Sequence, residues 1–231
     1  MAGMASPEHR LTIQLRAGDR TRRLGAVSAS PPDPVAALVL APGAGAPMDH
    51  PFLVGFAQGM HEEGVATLRF NFPYMEEGRR SPDPPGVLMG AWGAAFEVAR
   101  RAFPHLTLLA GGKSLGARIA SMCVADGMPA AGLAFLGYPL HPPGRPERIR
   151  DQHLARVGVP MLFLQGTRDP FARTDLLSAV LDRLGDRATL VPVEGGDHSF
   201  RVRGERRDDR EIGASLAALA VPFVLRVAGA A

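Results

Sequence analysis

Apolar runs of strand length recur along this chain, and between them apolar residues fall at helical spacing. Leu11-Thr12-Ile13-Gln14-Leu15 alternates apolar and polar, which predicts a half-exposed edge strand. Residues 24–30 read as its returning partner, after a turn at Gly18-Asp19. Ser30-Pro31-Pro32-Asp33-Pro34 then breaks the structure. From residue 35 onward strands and helices alternate. The strands are expected at 35–40, 65–70, 106–110, 131–136, 157–165 and 188–193. One helix runs from Asp49, a capping residue, through Met60, and a second is marked by Leu88, Trp92, Ala95, Ala99 and Ala102. Another leaves Ser114, and the last two cover 174–184 and roughly 210–226. The stretch 71–85, rich in Pro, Gly and charge, reads either as a partial lid or as a plain surface loop.

Buried strands joined by helical crossovers predict an α/β fold. The expected form is a three-layer α/β/α sandwich around a mostly parallel sheet. The connection between the strands at 131–136 and 157–165 is too short for a cap domain. No repeat or linker divides the chain, so residues 1–231 are expected to form a single domain, with 1–10 frayed.

Composition removes several classes of function. The chain is 46% apolar and 21% charged, an ordinary globular balance that excludes disorder. Its formal charge is +3, and the basic residues are scattered among acids, as in Arg201 to Arg210, so no nucleic-acid partner is expected. Lys113 is the only lysine among the 26 basic residues. The lone cysteine, Cys123, cannot make an internal disulfide and is expected to pack as a small hydrophobe, which fits a reducing compartment. The first 18 residues hold no long apolar stretch. The apolar run at 212–225 contains Pro222 and falls short of the roughly 20 residues that span a bilayer. It reads as a helix packed on the sheet. A cytoplasmic protein without a membrane partner is the expectation. No His/Cys/Asp cluster has ligand spacing, so neither metal nor cofactor is expected.

The candidate chemistry centres on Gly112-Lys113-Ser114-Leu115-Gly116, a G-x-S-x-G match between a strand and a helix. In an open parallel sheet, function gathers at the carboxyl ends of the strands. Those ends carry Gly43-Ala44, Asn71-Phe72, Ser114, Tyr138, Asp169 and His198. Serine needs a base, and the base needs a group to hold its tautomer. His198, in a loop with Gly195 and Gly196, is the candidate base. Asp169 is the candidate orienting acid, since Asp197 is too near His198 in sequence to reach its far nitrogen. Two backbone amides would stabilise the oxyanion, at about 3 kcal/mol each. Leu115, after the nucleophile, supplies one; Ala44 is the first choice for the other and Gly43 the second. The competing phosphate-loop reading of Gly-Lys-Ser requires a glycine where Thr107 stands.

Five blocks carry a resemblance. They are Ala41-Pro42-Gly43-Ala44-Gly45, Arg69-Phe70-Asn71-Phe72-Pro73-Tyr74, Gly111 through Arg118, Gly166-Thr167-Arg168-Asp169 and Gly196-Asp197-His198-Ser199-Phe200. The chain resembles the small, capless serine hydrolases of the α/β-hydrolase superfamily, in the dienelactone-hydrolase-like group. Within that group it is similar to the branch of testis-expressed protein 30 and of a hydrolase-like domain in a histone-acetyltransferase complex. The resemblance implies an esterase-type triad and names no substrate; with the residues above, the expectation is a serine hydrolase, carboxylesterase-like, acting on an ester, thioester or similar acyl bond of a small molecule. The chain departs from many lipases in having Pro42-Gly43 rather than His-Gly-Gly-Gly, and from dienelactone hydrolases proper in having serine rather than cysteine.

Two other functions use the same residues: a scaffold that keeps an idle triad, and a peptidase, for which no side-chain pocket is visible. His50 and His141 lie near strand ends and read as surface or capping residues, with pocket lining the alternative. His9, His61, His105 and His153 read as surface residues. A salt bridge near the elbow is expected from Arg118. Tyr74, Met75, Trp92 and Tyr138 are expected in packing, with substrate contact the alternative for the two tyrosines.

Overall fold

A computed structural model describes residues 8–17 and 20–230, so the turn expected at Gly18-Asp19 and residues 1–7 lie outside the described residues. Eight strands form one sheet: β1 (His9–Ala17), β2 (Arg20–Ala29), β3 (Ala36–Ala41), β4 (Val65–Phe70), β5 (Leu108–Lys113), β6 (Leu133–Leu136), β7 (Met161–Gly166) and β8 (Ala188–Val193). Their order is β1-β2-β4-β3-β5-β6-β7-β8. β1 pairs antiparallel with β2, and β2 with β4; every later pairing is parallel. Residues 9 and 10, expected to fray, are paired with Ser28 and Val27.

The parallel strands β3 to β7 are buried on both faces, β8 at the edge only partly so, and the period of two sends alternate residues to two cores. Ala37, Val39, Phe135 and Phe163 join one core with α3 (Pro85–Ala102), α4 (Leu115–Ala125) and α5 (Thr174–Leu184). Leu38, Leu40, Leu136 and Leu164 join the other with α1 (Pro51–Glu62) and α6 (Asp209–Ala228). These are the three layers of an α/β/α sandwich.

Helix α6 alone among the described residues is long and apolar enough to cross a membrane, yet it lies against α1 and the sheet. A Cβ on Gly55 would collide with the Arg210 carbonyl, and one on Gly213 with that of Phe52, so glycines set how closely these two helices approach. A capping box at Asp208 and Glu211 starts α6 one turn before its apolar run.

Helix α1 corrects one expectation. Its cap is His50, whose Nδ1 accepts the Phe52 amide at 3.3 Å, because Pro51 occupies the first helical position. Asp49 instead pairs with Arg10. Within 71–85, residues Pro73–Glu76 form a short helix, α2, rather than an irregular stretch.

The order β4-β3-β5 reverses direction at β3. The loop after β3 and the bend after β5 therefore flank the crevice at the sheet's switch point, where ligands of open α/β sheets bind.

Candidate active site

Ser114 stands between β5 and α4 with φ 49° and ψ −109°, one of two non-glycine residues with positive φ among those described. Such a conformation costs about 1–3 kcal/mol and persists only where its surroundings force it. Here the Ser114 amide donates to the Leu136 carbonyl of β6 at 3.1 Å. A Cβ on Gly112 or Gly116 would run into the Ala41 carbonyl of β3. Trp92 of α3 closes the other side, its Nε1 donating to the Gly116 carbonyl at 3.2 Å.

His198 lies in the loop after β8. Its Nε2 is 2.9 Å from Ser114 Oγ, and its Nδ1 is 2.7 Å from Asp169 Oδ2. A carboxylate only accepts, so the imidazole proton sits on Nδ1 and the Nε2 lone pair faces the serine hydroxyl. Asp169, 5% exposed, is itself held: Gln165 Nε2 donates to Oδ2 at 2.6 Å, and the Phe171 amide donates to Oδ1 at 2.8 Å. The Phe171 ring stacks on the imidazole at 4.1 Å between centroids.

The Gly45 amide donates to Tyr74 Oη at 3.1 Å and the Ala46 amide to the Gly43 carbonyl at 3.2 Å. Neither the Ala44 nor the Gly43 amide has an acceptor among the described residues. As the first residue of α4, Leu115 has an amide that no helical carbonyl can reach. These free amides, with the positive end of the α4 dipole, suit an anion beside Ser114.

Above Ser114 opens a cavity of about 500 Å³. Phe52, Leu53, Ala44 and Phe171 give it apolar walls, and His50, Arg201 and Asp209 a polar margin.

The family pattern of the alpha/beta hydrolase domain matches residues 34–223. This chain belongs to that family. Solved structures agree in fold. A serine hydrolase without a lid from Xanthomonas campestris is 21% identical, with 96% of this chain and 95% of that one aligned at a TM-score of 0.70. A dienelactone hydrolase from Anabaena variabilis is 18% identical over 95% and 98%, at 0.71. A serine hydrolase homologue from Coxiella burnetii is 17% identical over 93% and 97%, also at 0.71.

Of the five residues expected at the site of this α/β hydrolase, Ser114, His198 and Ala44 line the cavity, Asp169 is buried behind His198 and bonded to it, and Leu115 follows Ser114 as the first residue of α4. Other expectations change. Arg118 makes no ion pair among the described residues, and its Nε is buried without a partner. His141 is buried, and its Nε2 accepts the Arg173 amide ahead of α5. Tyr74 and Tyr138 are fully buried in packing, as expected, and no residue of 71–85 lines the cavity, so of the two readings of that stretch the partial lid finds no support. That stretch is a buttress, since Asn71 Oδ1 accepts the Met48 amide at 2.7 Å and Tyr74 holds Gly45. Gln165 was not foreseen. It follows a strand pattern of buried apolar residues, and a polar side chain in that pattern was its one signal.

His153 is a further correction. It is partly buried, with Nε2 2.7 Å from Ser121 Oγ and 3.3 Å from Tyr138 Oη. Both hydroxyls already donate elsewhere: Ser121 to the Arg118 carbonyl at 2.7 Å, Tyr138 to the Arg150 carbonyl at 2.9 Å. The hydrogen must therefore lie on His153 Nε2, with both oxygens accepting it. Burial, with Arg118 and Arg156 nearby, pushes the His153 pKa down to about 4. Burial also raises the Tyr138 phenol and takes the Cys123 thiol up to about 12, which suits packing rather than reaction.

Proposed function

We propose that this protein is a cytoplasmic serine hydrolase that cleaves an ester, thioester or similar acyl bond of a small molecule. The observation that carries this reading is His198 standing between Ser114 and Asp169, its Nε2 2.9 Å from Ser114 Oγ and its Nδ1 2.7 Å from Asp169 Oδ2, at the floor of a cavity with apolar walls. His198 takes the hydroxyl proton as Ser114 Oγ attacks the substrate carbonyl. Asp169 stabilises the imidazolium that forms. The carbonyl oxygen, now negative, turns to the Ala44 and Leu115 amides. Collapse of the tetrahedral species expels the alcohol or thiol, which receives its proton from His198. An acyl-enzyme remains on Ser114. Water, deprotonated by the same imidazole, then attacks that ester; the bond from the acyl carbon to Ser114 Oγ breaks, the carboxylic acid leaves, and His198 returns the proton to the serine.

The cavity volume and the walls of Phe52, Leu53 and Phe171 favour short or aromatic acyl groups over long lipid chains. A series of p-nitrophenyl esters of rising chain length, together with a fluorophosphonate probe, tests the reading. Turnover should peak at short chains, and the probe should label Ser114 alone. Absence of both turnover and labelling across the series would favour a scaffold with an idle triad.

A further inference from the structure

Lys113 immediately precedes Ser114, and its side chain touches three parts of the site. Nζ donates to the His198 carbonyl at 2.6 Å, the one partner that carbonyl has among the described residues. Its stem underlies the oxyanion loop: a Cβ on Gly43 would lie 3.5 Å from Lys113 Cγ. The ammonium sits 6.0 Å from the ring centroid of Phe52 and 5.5 Å from that of Phe200, rings that stack on each other from α1 and from the His198 loop. No carboxylate lies within ion-pair distance of it among the described residues.

We propose that Lys113 is a positioning residue, a tether of fixed length that sets where His198 stands relative to Ser114. The proposal rests on the serine-hydrolase reading above. Around His198 the loop is pinned by its neighbours: Asp197 Oδ1 accepts the Ser199 and Arg201 amides, and the Gly196 carbonyl accepts the Arg168 amide. At His198 itself, Lys113 is the only backbone attachment among the described residues. One end of the tether is the strand that presents the nucleophile; the other is the backbone of the base.

The residue type fits this role. Every other basic side chain is arginine, and the one lysine stands here. Burial brings its pKa down from 10.5 to about 8, opposed by Asp169 and Asp197, so the ammonium is still mostly charged at pH 7. Because the folded pKa lies below the unfolded one, Lys113 weakens the fold at neutral pH, and that loss is recovered as pH rises from about 8 toward 10.5. A side chain that weakens the fold and touches the base has a reason other than packing. The charged and titratable groups around it are Asp169, Asp197 and His198 from the strand-end loops. His50, Arg201 and Asp209 line the same cavity. Deprotonation replaces a charge-assisted bond with a weaker neutral one, so kcat should fall across that titration.

Lys113→Met and Lys113→Arg, assayed on a short p-nitrophenyl ester across pH, test this. In Lys113→Met we expect kcat about 10- to 100-fold lower, KM little changed, the alkaline fall near pH 8 gone and thermal stability at pH 7 no lower than wild type. Lys113→Arg keeps a donor and a charge, so it should recover most of kcat and move the alkaline fall upward. Should the variants not fold, the wild type decides. With ¹⁵N-lysine the protein gives one ammonium resonance, which should titrate with kcat. A displacement of more than about one pH unit between the two would overturn the proposal. Wild-type kcat and an unchanged alkaline fall in Lys113→Met would overturn it alone. Turnover surviving in Ser114→Ala would overturn the hydrolase reading and the tether with it.

Discussion

Ser114 and Ser121 stand two helical turns apart, one at the start of α4 and one within it. Each has a histidine nitrogen in range, at 2.9 Å and 2.7 Å. By distance alone Ser121 is the better placed. The difference lies in what surrounds each ring. Asp169 holds the proton of His198 on the far nitrogen and leaves a lone pair facing Ser114. No carboxylate bonds His153 among the described residues. Two hydroxyls with their own hydrogens committed to carbonyls force its proton onto the nitrogen facing Ser121. The backbone differs as well. Ser114 is held at φ 49° under a cavity, while Ser121 is an ordinary helical residue with no exposed surface. A serine and a histidine in contact become a nucleophile and a base only when the tautomer is right and space is open above them.

The widest separation between the two pairs should come from alanine. Ser114→Ala and His198→Ala are expected to lower kcat by about 10⁴-fold or more, with the residue left to the oxyanion amides and binding. Ser121→Ala should keep kcat within a few-fold and lose only stability. Steady-state turnover alongside thermal melts checks both. If Ser121→Ala loses turnover with an unchanged melt, the contrast is wrong.

A sharper test converts one pair into the other. In Asp169→Asn the group facing His198 Nδ1 can donate a hydrogen, so the ring can carry its proton on Nε2, as His153 does. The serine then meets an N–H rather than a lone pair. A fall in kcat of about 10⁴-fold with an intact fold is expected. Gln165 narrows this outcome, because its Nε2 already donates to the same side chain at 2.6 Å and would favour keeping an oxygen there. Activity near wild type in Asp169→Asn would count against tautomer control only where the ¹⁵N shifts of His198 show the proton moved to Nε2 in the variant; with the oxygen and the Nδ1 proton retained, full activity is the expected result.

Much of the first pair was legible in the chain. Strand ends are where an open sheet gathers function, and Ser114, Asp169 and His198 each follow an apolar run of strand length. The second pair was not. His153 lies in a polar, Pro-rich connection, and nothing local shows that the connection folds back on α4 and covers it. The same limit misplaced the cap of α1 at Asp49 rather than at His50, already read as a surface or capping residue, since Asp and His compete for a position decided by where the chain enters the helix. The glycines at 55 and 213 read as ordinary helix residues until α1 and α6 are seen crossing through them. Periodicity reports which face is buried; it does not report what polar partner waits there.

Support from beneath distinguishes the pairs too, and its removal should have a middling effect. Tyr74 Oη accepts the Gly45 amide and so fixes the loop that carries Ala44. In Tyr74→Phe the ring keeps its packing against Phe72, while the loop loses one anchor. We expect kcat to fall about 10-fold, less than the 10²–10³ seen when an oxyanion donor itself is removed, with KM nearly constant. The same substitution should leave the melt almost unchanged. A fall in stability without a fall in kcat would make Tyr74 a packing residue only.

The smallest effect concerns the second pair and runs through pH. The His153 pKa is about 4 in the folded protein and ordinarily 6.5, because burial and the Arg118 and Arg156 charges disfavour the cation. Between those values the unfolded chain holds a proton that the folded one does not. Stability attached to His153 is thus complete above pH 6.5 and is lost as pH falls toward 4. Asp and Glu residues titrate near the lower end of that window, so the informative quantity is the difference between wild type and His153→Gln. Glutamine can still donate to Ser121 Oγ and Tyr138 Oη but takes up no proton. The two proteins should melt alike at pH 7, and the variant should lose about 1–2 kcal/mol less on acidification to pH 4.5, allowing for solvent reaching part of the ring. Its turnover at pH 7 should match wild type, because a histidine that offers Ser121 a hydrogen rather than a lone pair takes no part in acyl transfer. A parallel acid loss in both proteins would mean that His153 is protonated in the native state. The ring could then not be read as the neutral, proton-donating partner that separates this pair from the one at Ser114.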